Sequence, residues 1–105
     1  MKITIQSPGI DTTKRLESFV RRNLEKLEKF YPPVVEAQVT LKIDNNGSKT
    51  NHMVDVRLVI PGNDLFASKD AETFEQATKL CVDAIKHQID RLRTNWDNQR
   101  TAKSS

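Results

Sequence analysis

Hydrophobic and polar residues repeat along the chain with two different periods, and these periods predict its secondary structure. In residues 2–6, isoleucines alternate with polar side chains, which predicts a short strand. In residues 13–30, apolar side chains recur every three or four positions, which predicts a helix capped from within residues 11–13 and ended by Pro32. The apolar stripe of this helix consists of Leu16, Phe19, Val20, Leu24, Leu27 and Phe30.

The second half of the chain predicts a β-meander followed by a long helix. Strict alternation in residues 35–44 and 54–60 predicts two half-buried strands, joined by a turn at 45–48. A second turn at 61–64 precedes a short strand at 65–68. Asp70 is the expected N-cap of the last helix, with Glu72 in its first turn. Its predicted buried stripe consists of Phe74, Ala77, Cys81, Ile85, Ile89, Leu92 and Trp96.

The order β-α-β-β-β-α places the chain in the α+β class. Each strand has mainly one apolar face, so we expect two helices packed on one face of a four-stranded mixed sheet. The first two strands flank a helix and are expected to run parallel, whereas the remaining strands form an antiparallel meander. Residues 1–99 are predicted to form a single domain, and residues 100–105 a flexible basic tail.

Composition restricts the classes of function that the chain can serve. Its 105 residues include 17 Lys+Arg against 14 Asp+Glu, a formal net charge of +3 that weakly favours a polyanionic partner. The single cysteine, Cys81, excludes an internal disulfide, fits a reduced, cytoplasmic compartment and falls within the predicted core stripe. The sequence shows no signal peptide and no run long enough to span a membrane.

The sequence offers little support for catalysis. Neither His52 nor His87 has a second ligand at metal-binding spacing, and no glycine-rich phosphate loop is present. Asp83, His87 and Asp90 fall in one helical region, but such a group is typical of a solvated helix face. We therefore predict that the protein is not an enzyme, and expect no metal, no cofactor and no small-molecule substrate.

The charges of the first helix separate by sign. At 100° per residue, one flank of the stripe collects only basic side chains, whereas the acidic residues Glu17, Glu25 and Glu28 fall on the other flank together with Lys14 and Arg21. A purely basic flank favours a surface that meets phosphates, and the alternative is chance clustering on a solvated face. The basic flank consists of Arg15, Arg22, Lys26 and Lys29.

The last helix could extend this surface. Leu80 and Ala84 lie beside its stripe and are small or apolar, so they could allow a close approach to the first helix. His87 and Arg91 share that flank and would then join the basic strip. The sequence leaves open which flanks face each other. The predicted RNA-binding residues are Arg15, Arg22, Lys26, Lys29, His87 and Arg91.

Several weak motifs, in this order, resemble the short form of the hibernation-promoting factors, also called ribosome-associated translation inhibitors. Residues 26–30, Lys-Leu-Glu-Lys-Phe, match the Lys-Leu-Glu-Lys-aromatic run with which the family ends its first helix. Residues 87–91, His-Gln-Ile-Asp-Arg, partly match its late Arg-Gln-aliphatic-x-basic run. The chain departs from the family at Ala84, where lysine is common, and at His87, where arginine is common.

The resemblance implies a protein that binds the small ribosomal subunit in the channel for messenger and transfer RNA. Such proteins contact ribosomal RNA through basic helix residues and inhibit translation by occlusion under stress or in stationary phase. Lys26, Lys29 and Arg91 carry over directly, and Arg22 by its position. Three rivals remain: a general double-stranded RNA-binding module, a protein–protein interaction domain and a small enzyme that uses His87.

Overall fold

The computed structural model describes residues 1–45 and 51–104 of the backbone, and the side chains of residues 1–45 and 51–94. The predicted order of elements is confirmed. Four strands and two helices follow one another as β1 (Lys2–Gln6), α1 (Lys14–Phe30), β2 (Glu36–Asp44), β3 (Asn51–Ile60), β4 (Asn63–Ala71) and α2 (Phe74–Ser104).

The strands form one mixed sheet in the order β1-β2-β3-β4. β1 runs parallel to β2, with Ile5 opposite Val39, and the other two pairs are antiparallel. Val56 lies opposite Val39 on one side and Ala67 on the other, so one continuous apolar row crosses the sheet. The predicted α+β fold is therefore confirmed.

The turn between β3 and β4 follows from two residues. Ile60 pairs with Asn63, which leaves only Pro61 and Gly62 in the loop. Proline sets φ near −65° at the first position, and Gly62 adopts φ +79° at the second, a conformation that residues with a Cβ rarely adopt. The predicted turn at 45–48 lies, beyond Asn45, outside the described residues.

The core lies between the inner face of the sheet and the two helices. The predicted stripes supply it, and the largest side chains in it are fully buried. Burial of apolar surface of this kind is the main stabilising contribution to a domain of this size. The fully buried residues include Val20, Leu24, Leu27, Val39, Leu41, Val54, Val56, Leu58, Cys81, Ile85 and Ile89.

The start of α2 differs from the prediction. Asp70 lies within β4, opposite Met53, because β3 is long enough to pair with β4 as far as Ala71. The helix begins after Thr73, whose Oγ1 accepts a hydrogen bond from the Gln76 amide at 3.1 Å. The prediction that Asp70 caps α2 was therefore wrong, and Thr73 serves as the N-cap.

The far end of α2 also extends beyond the predicted domain boundary at residue 99, since the helix continues to Ser104. The flexibility of the predicted tail at 100–105 stays a prediction. The predicted packing of Trp96 lies outside the described side chains.

Candidate nucleic-acid interface

The two helices lie side by side and run in the same direction. Glu75 lies near Arg15, and the Lys79 Nζ lies 5.7 Å from the ring centroid of Phe19. Further along, the Arg93 guanidinium lies 4.8 Å from the ring centroid of Phe30. Because the residue numbers of both helices rise together along these contacts, α1 and α2 are parallel.

A groove separates the outward flanks of the two helices, and we call it the interhelical groove. Its floor includes Asn23 and Val82, both buried. The amide nitrogen Nδ2 of Asn23 donates to the Phe19 carbonyl at 2.8 Å, so this buried polar group is satisfied within its own helix. The charged residues along the groove are Arg15, Arg22 and Lys26 from α1, and Glu75, Lys79, Asp83 and Lys86 from α2.

The interhelical groove carries a surplus of positive charge: five basic side chains against two carboxylates. Within the described part of the chain, the ion pairs are Met1 amine–Glu28, Lys42–Asp55 and Arg57–Asp64, and none involves a groove residue. Cations without a carboxylate partner keep their charge available for a ligand. A surplus of positive charge of this kind attracts polyanions in general.

Aromatic rings of α1 hold the cations of α2 in place. Lys79 lies over Phe19 as described above, and the Lys86 Nζ lies 5.7 Å from the ring centroid of Phe30. A cation over an aromatic face is attracted by the ring quadrupole, by about 0.5–1 kcal/mol at exposed sites. These contacts place the two lysines beside α1, on the groove side of α2.

The structure brings together only part of the predicted set of RNA-binding residues. Arg15, Arg22 and Lys26 line the groove, and Lys29 is exposed on the same flank of α1, in its last turn. His87 and Arg91 are exposed but lie on the other side of α2. That side faces β4, where the side-chain amide of Gln88 donates to the Phe66 carbonyl at 2.8 Å.

The contact between the helices is accordingly not the one that the sequence suggested. Leu80 is 46% exposed, whereas Val82 is buried on the flank that faces α1. The possible approach of α2 to α1 through Leu80 and Ala84 therefore does not occur in the structure, and His87 and Arg91 do not lie beside the basic flank of α1.

Sequence reasoning missed three cations, namely Lys79, Lys86 and Arg93. In the sequence, acidic residues such as Glu75 and Asp83 interrupt this flank of the last helix, so it does not stand out as basic. The signal that could have identified it is the width of the apolar stripe. Thr78 and Val82 extend the buried face of α2 toward this flank, and both are buried. A stripe that widens to one side indicates the side on which a neighbouring helix packs.

The outer face of the sheet contrasts with the groove, because two of its cations are neutralised. Lys42 Nζ lies 2.9 Å from an Asp55 carboxylate oxygen, and Arg57 pairs with Asp64. Burial raises the pKa of Asp55, but hydrogen bonds from Ser68 and Lys42 outweigh it, so the pKa of this carboxyl lies below its usual range. The available positive charge of the described residues is therefore concentrated on the helix side.

Cys81 is a core residue, as predicted. Its thiol is fully buried and donates to the Val54 carbonyl at 3.1 Å. Burial raises the pKa of this thiol to about 11 from an ordinary value of 9.0. Because the thiolate is the nucleophilic form, the residue is protected from alkylation and oxidation in the folded protein.

We expect a thiol reagent to modify Cys81 only when the protein unfolds. At pH 8 the folded protein should react with iodoacetamide far more slowly than the denatured chain. Mass spectrometry of the alkylated fraction, measured against denaturant concentration, tests this difference in reaction rate. Equal rates in both states would contradict it.

The raised pKa also predicts a pH dependence of stability. Since the thiol ionises near pH 9 in the unfolded chain but only near pH 11 in the folded one, the free energy of unfolding should fall as the pH rises through this window.

Two further features, a metal-binding cluster and a membrane-spanning helix, are absent from the residues that the structure describes. No group of three or more His, Cys, Asp and Glu side chains is arranged to hold a metal ion. No helix there is long and apolar enough to cross a lipid bilayer.

The fold and the groove together define a small α+β domain with two parallel helices on one face of a mixed sheet and an unneutralised cationic groove between them. The family described as "Sigma 54 modulation protein / S30EA ribosomal protein" matches residues 3–96. The chain belongs to this family, which confirms the resemblance seen in the sequence.

Proteins with similar sequences are named ribosome hibernation promoting or promotion factors. A ribosome hibernation promoting factor of Acinetobacter guillouiae is 28% identical over 99 residues, covering 89% of this chain and 88% of its own. One of Salmonella typhimurium is 25% identical over 91 residues, covering 87% and 92%. The match to a ribosome hibernation promotion factor of Deinococcus radiodurans covers 88% of this chain but 49% of that protein.

Solved structures share the fold at lower identity. A ribosomal subunit interface protein from Coxiella burnetii superposes with a TM-score of 0.79 at 15% identity, covering 90% of this chain and 99% of that one. The N-terminal domain of Protein Y from Thermus thermophilus gives 0.75 at 17%, covering 88% and 99%. At these identities the likeness concerns the fold alone.

Proposed function

We propose that the protein is a ribosome hibernation factor. In this proposal it binds the small ribosomal subunit in the channel for messenger and transfer RNA, in the cytoplasm, and inhibits translation by occlusion under stress or in stationary phase. The observation that carries the proposal is the interhelical groove, whose five cations have no carboxylate partner among the described residues. The names of the relatives supply the ribosome as partner.

The mechanism in this proposal is steric and electrostatic. Ribosomal RNA offers closely spaced phosphates, and each cation that contacts one releases a condensed counterion. Because the proposed contacts are with phosphates, which carry no sequence information, the protein would recognise the shape of folded RNA more than its sequence. A rigid domain held in this way occupies space that messenger and transfer RNA need.

The five groove cations, together with Lys29 on the same flank of α1, are the proposed contacts with ribosomal RNA. Arg15, Arg22, Lys26 and Lys29 come from the sequence prediction, and the structure adds Lys79 and Lys86. His87 and Arg91 stay predicted contacts, now on the far side of α2. Their substitution tests whether the RNA reaches around that helix.

Sedimentation tests the proposed partner. In a sucrose gradient at low salt, the protein should migrate with purified small subunits and with whole ribosomes, but not with large subunits. An excess of free duplex RNA should leave this binding unchanged, whereas a general double-stranded RNA-binding module would be displaced. Protein that remains at the top of the gradient, or that migrates with the large subunit, would overturn the proposal.

Order of addition tests the proposed channel. Ribosomes preloaded with messenger and initiator transfer RNA should resist inhibition in a purified translation system, because the ligands occupy the same space. Empty ribosomes should be inhibited in proportion to the added protein. Undiminished inhibition of preloaded ribosomes would indicate another site of action.

A further inference from the structure

Arg93 makes an unusual set of contacts for a cation on a helix that borders a polyanion-binding groove. Its guanidinium donates through Nη2 to the Phe30 carbonyl. The same group lies 4.8 Å from the Phe30 ring centroid and 5.5 Å from that of Tyr31. The side chain is half-buried, and Tyr31 beneath it is buried. Arg93 therefore packs against the end of α1.

These contacts lie at the C-terminus of α1, where a helix leaves backbone carbonyls without hydrogen-bond donors. Phe30 is the last residue of α1, so its carbonyl is one of the groups that the helix itself leaves unpaired. A cation at this end also meets the negative pole of the helix dipole. Pro32 and Pro33 follow immediately and prevent the helix from continuing. One side chain of α2 thus completes the C-terminus of α1.

The same ring also connects Arg93 to the groove. The Arg93 guanidinium lies over the face of the Phe30 ring, and the Lys86 Nζ lies 5.7 Å from the centroid of the same ring. A shift of α1 relative to α2 would therefore change the position of a groove lysine as well as the width of the groove. Arg93 therefore links α2 to α1 at the C-terminal end of α1.

We propose that Arg93 is a positioning residue for the interhelical groove: it fixes the C-terminal end of α1 against α2 and so sets the spacing of the phosphate-binding cations, without contacting RNA itself. This inference rests on the proposed function. Lysine would be a poor replacement, because an ammonium group can donate to a carbonyl but lacks the planar surface that lies against the two rings at the same time.

The test compares Arg93→Lys with Arg93→Gln in ribosome binding. Both variants should lose affinity for small subunits by about tenfold, a typical coupling between contacting groups. The log–log slope of affinity against salt should stay that of the wild type in both, because no phosphate contact is removed. The matched controls Arg21→Lys and Arg21→Gln, on the exposed opposite flank of α1, should bind as the wild type does.

A phosphate ligand at Arg93 would behave differently. Arg93→Lys would then retain most of the affinity, and Arg93→Gln would flatten the salt slope by about 0.7 to 0.9. That result would overturn the inference. Full affinity in both variants would also overturn it, while leaving the proposed function intact. Failure of the wild type to bind would instead reject the proposed function.

Spin labels measure the positioning without ribosomes. Labels at Glu25→Cys on α1 and Asp90→Cys on α2, both exposed positions, report the distance between the helices, and the buried Cys81 should remain unlabelled. The distance distribution should broaden or shift in both Arg93 variants and in Phe30→Leu, at temperatures where circular dichroism shows each protein folded. An unchanged distribution in every one of these variants that remains folded would reject the inference.

Discussion

Reversal of two groove cations, Arg22→Glu with Lys26→Glu, is expected to abolish most of the binding to small ribosomal subunits. Hydrogen bonds to charged groups contribute about 1.5–3 kcal/mol each. Loss of two such contacts should weaken binding by at least about a hundredfold. The slope of log affinity against log salt should flatten by roughly 1.4 to 1.8, because two fewer counterions are released. Filter binding or sedimentation over a salt series measures both quantities.

A matched control is available on the same helix. Lys14→Glu with Arg21→Glu changes the net charge by the same amount, but these exposed residues occupy the opposite flank of α1. We expect this variant to keep most of its affinity and the wild-type salt slope. Equal damage from both double variants would mean that only the overall charge matters. The interhelical groove would then no longer be the proposed RNA-binding surface.

The other helix offers an independent comparison. Lys79→Glu with Lys86→Glu should reproduce the loss, whereas His87→Gln with Arg91→Gln should have a much smaller effect. The first pair faces α1, and the second lies on the far side of α2. The opposite ranking would favour the RNA surface predicted from the sequence.

Truncation of Leu27 is expected to destabilise the fold more than any surface change. This residue is fully buried where α1 packs on the rest of the core. Leu→Ala changes in cores cost about 2–5 kcal/mol, since they remove buried surface and leave a cavity. A domain of this size has a total stability of about 5–15 kcal/mol. Leu27→Ala should thus lower the unfolding midpoint by roughly 10 °C or more.

The same substitution at Leu80 provides the control, because this leucine is 46% exposed. Leu80→Ala should change stability by no more than about 0.5 kcal/mol, as is usual for surface positions. Thermal and urea unfolding followed by circular dichroism compares the two variants. Similar midpoints for Leu27→Ala and the wild type would contradict the burial of Leu27.

Most of the fold could be predicted because its elements depend on local patterns. The alternation in residues 35–44 and the stripe of residues 13–30 each require one face to be buried, and this requirement is independent of the partner. The N-cap of α2 could not be predicted in the same way. Asp70 and Thr73 are both good capping residues, and the choice depended on how far β4 pairs with β3.

The residues of the candidate site also divide into those that local patterns predict and those that only helix packing places. Arg15, Arg22 and Lys26 share a flank of α1 because the helical period places them there, so the sequence alone determined that part of the groove. Only the tertiary structure decided which flank of α2 lies opposite. That packing places Lys79 and Lys86 in the groove and leaves His87 and Arg91 outside it. The sequence could not predict it, because helix packing depends on contacts between residues far apart in the chain. Examples are the contacts of Phe19 with Lys79 and of Phe30 with Arg93.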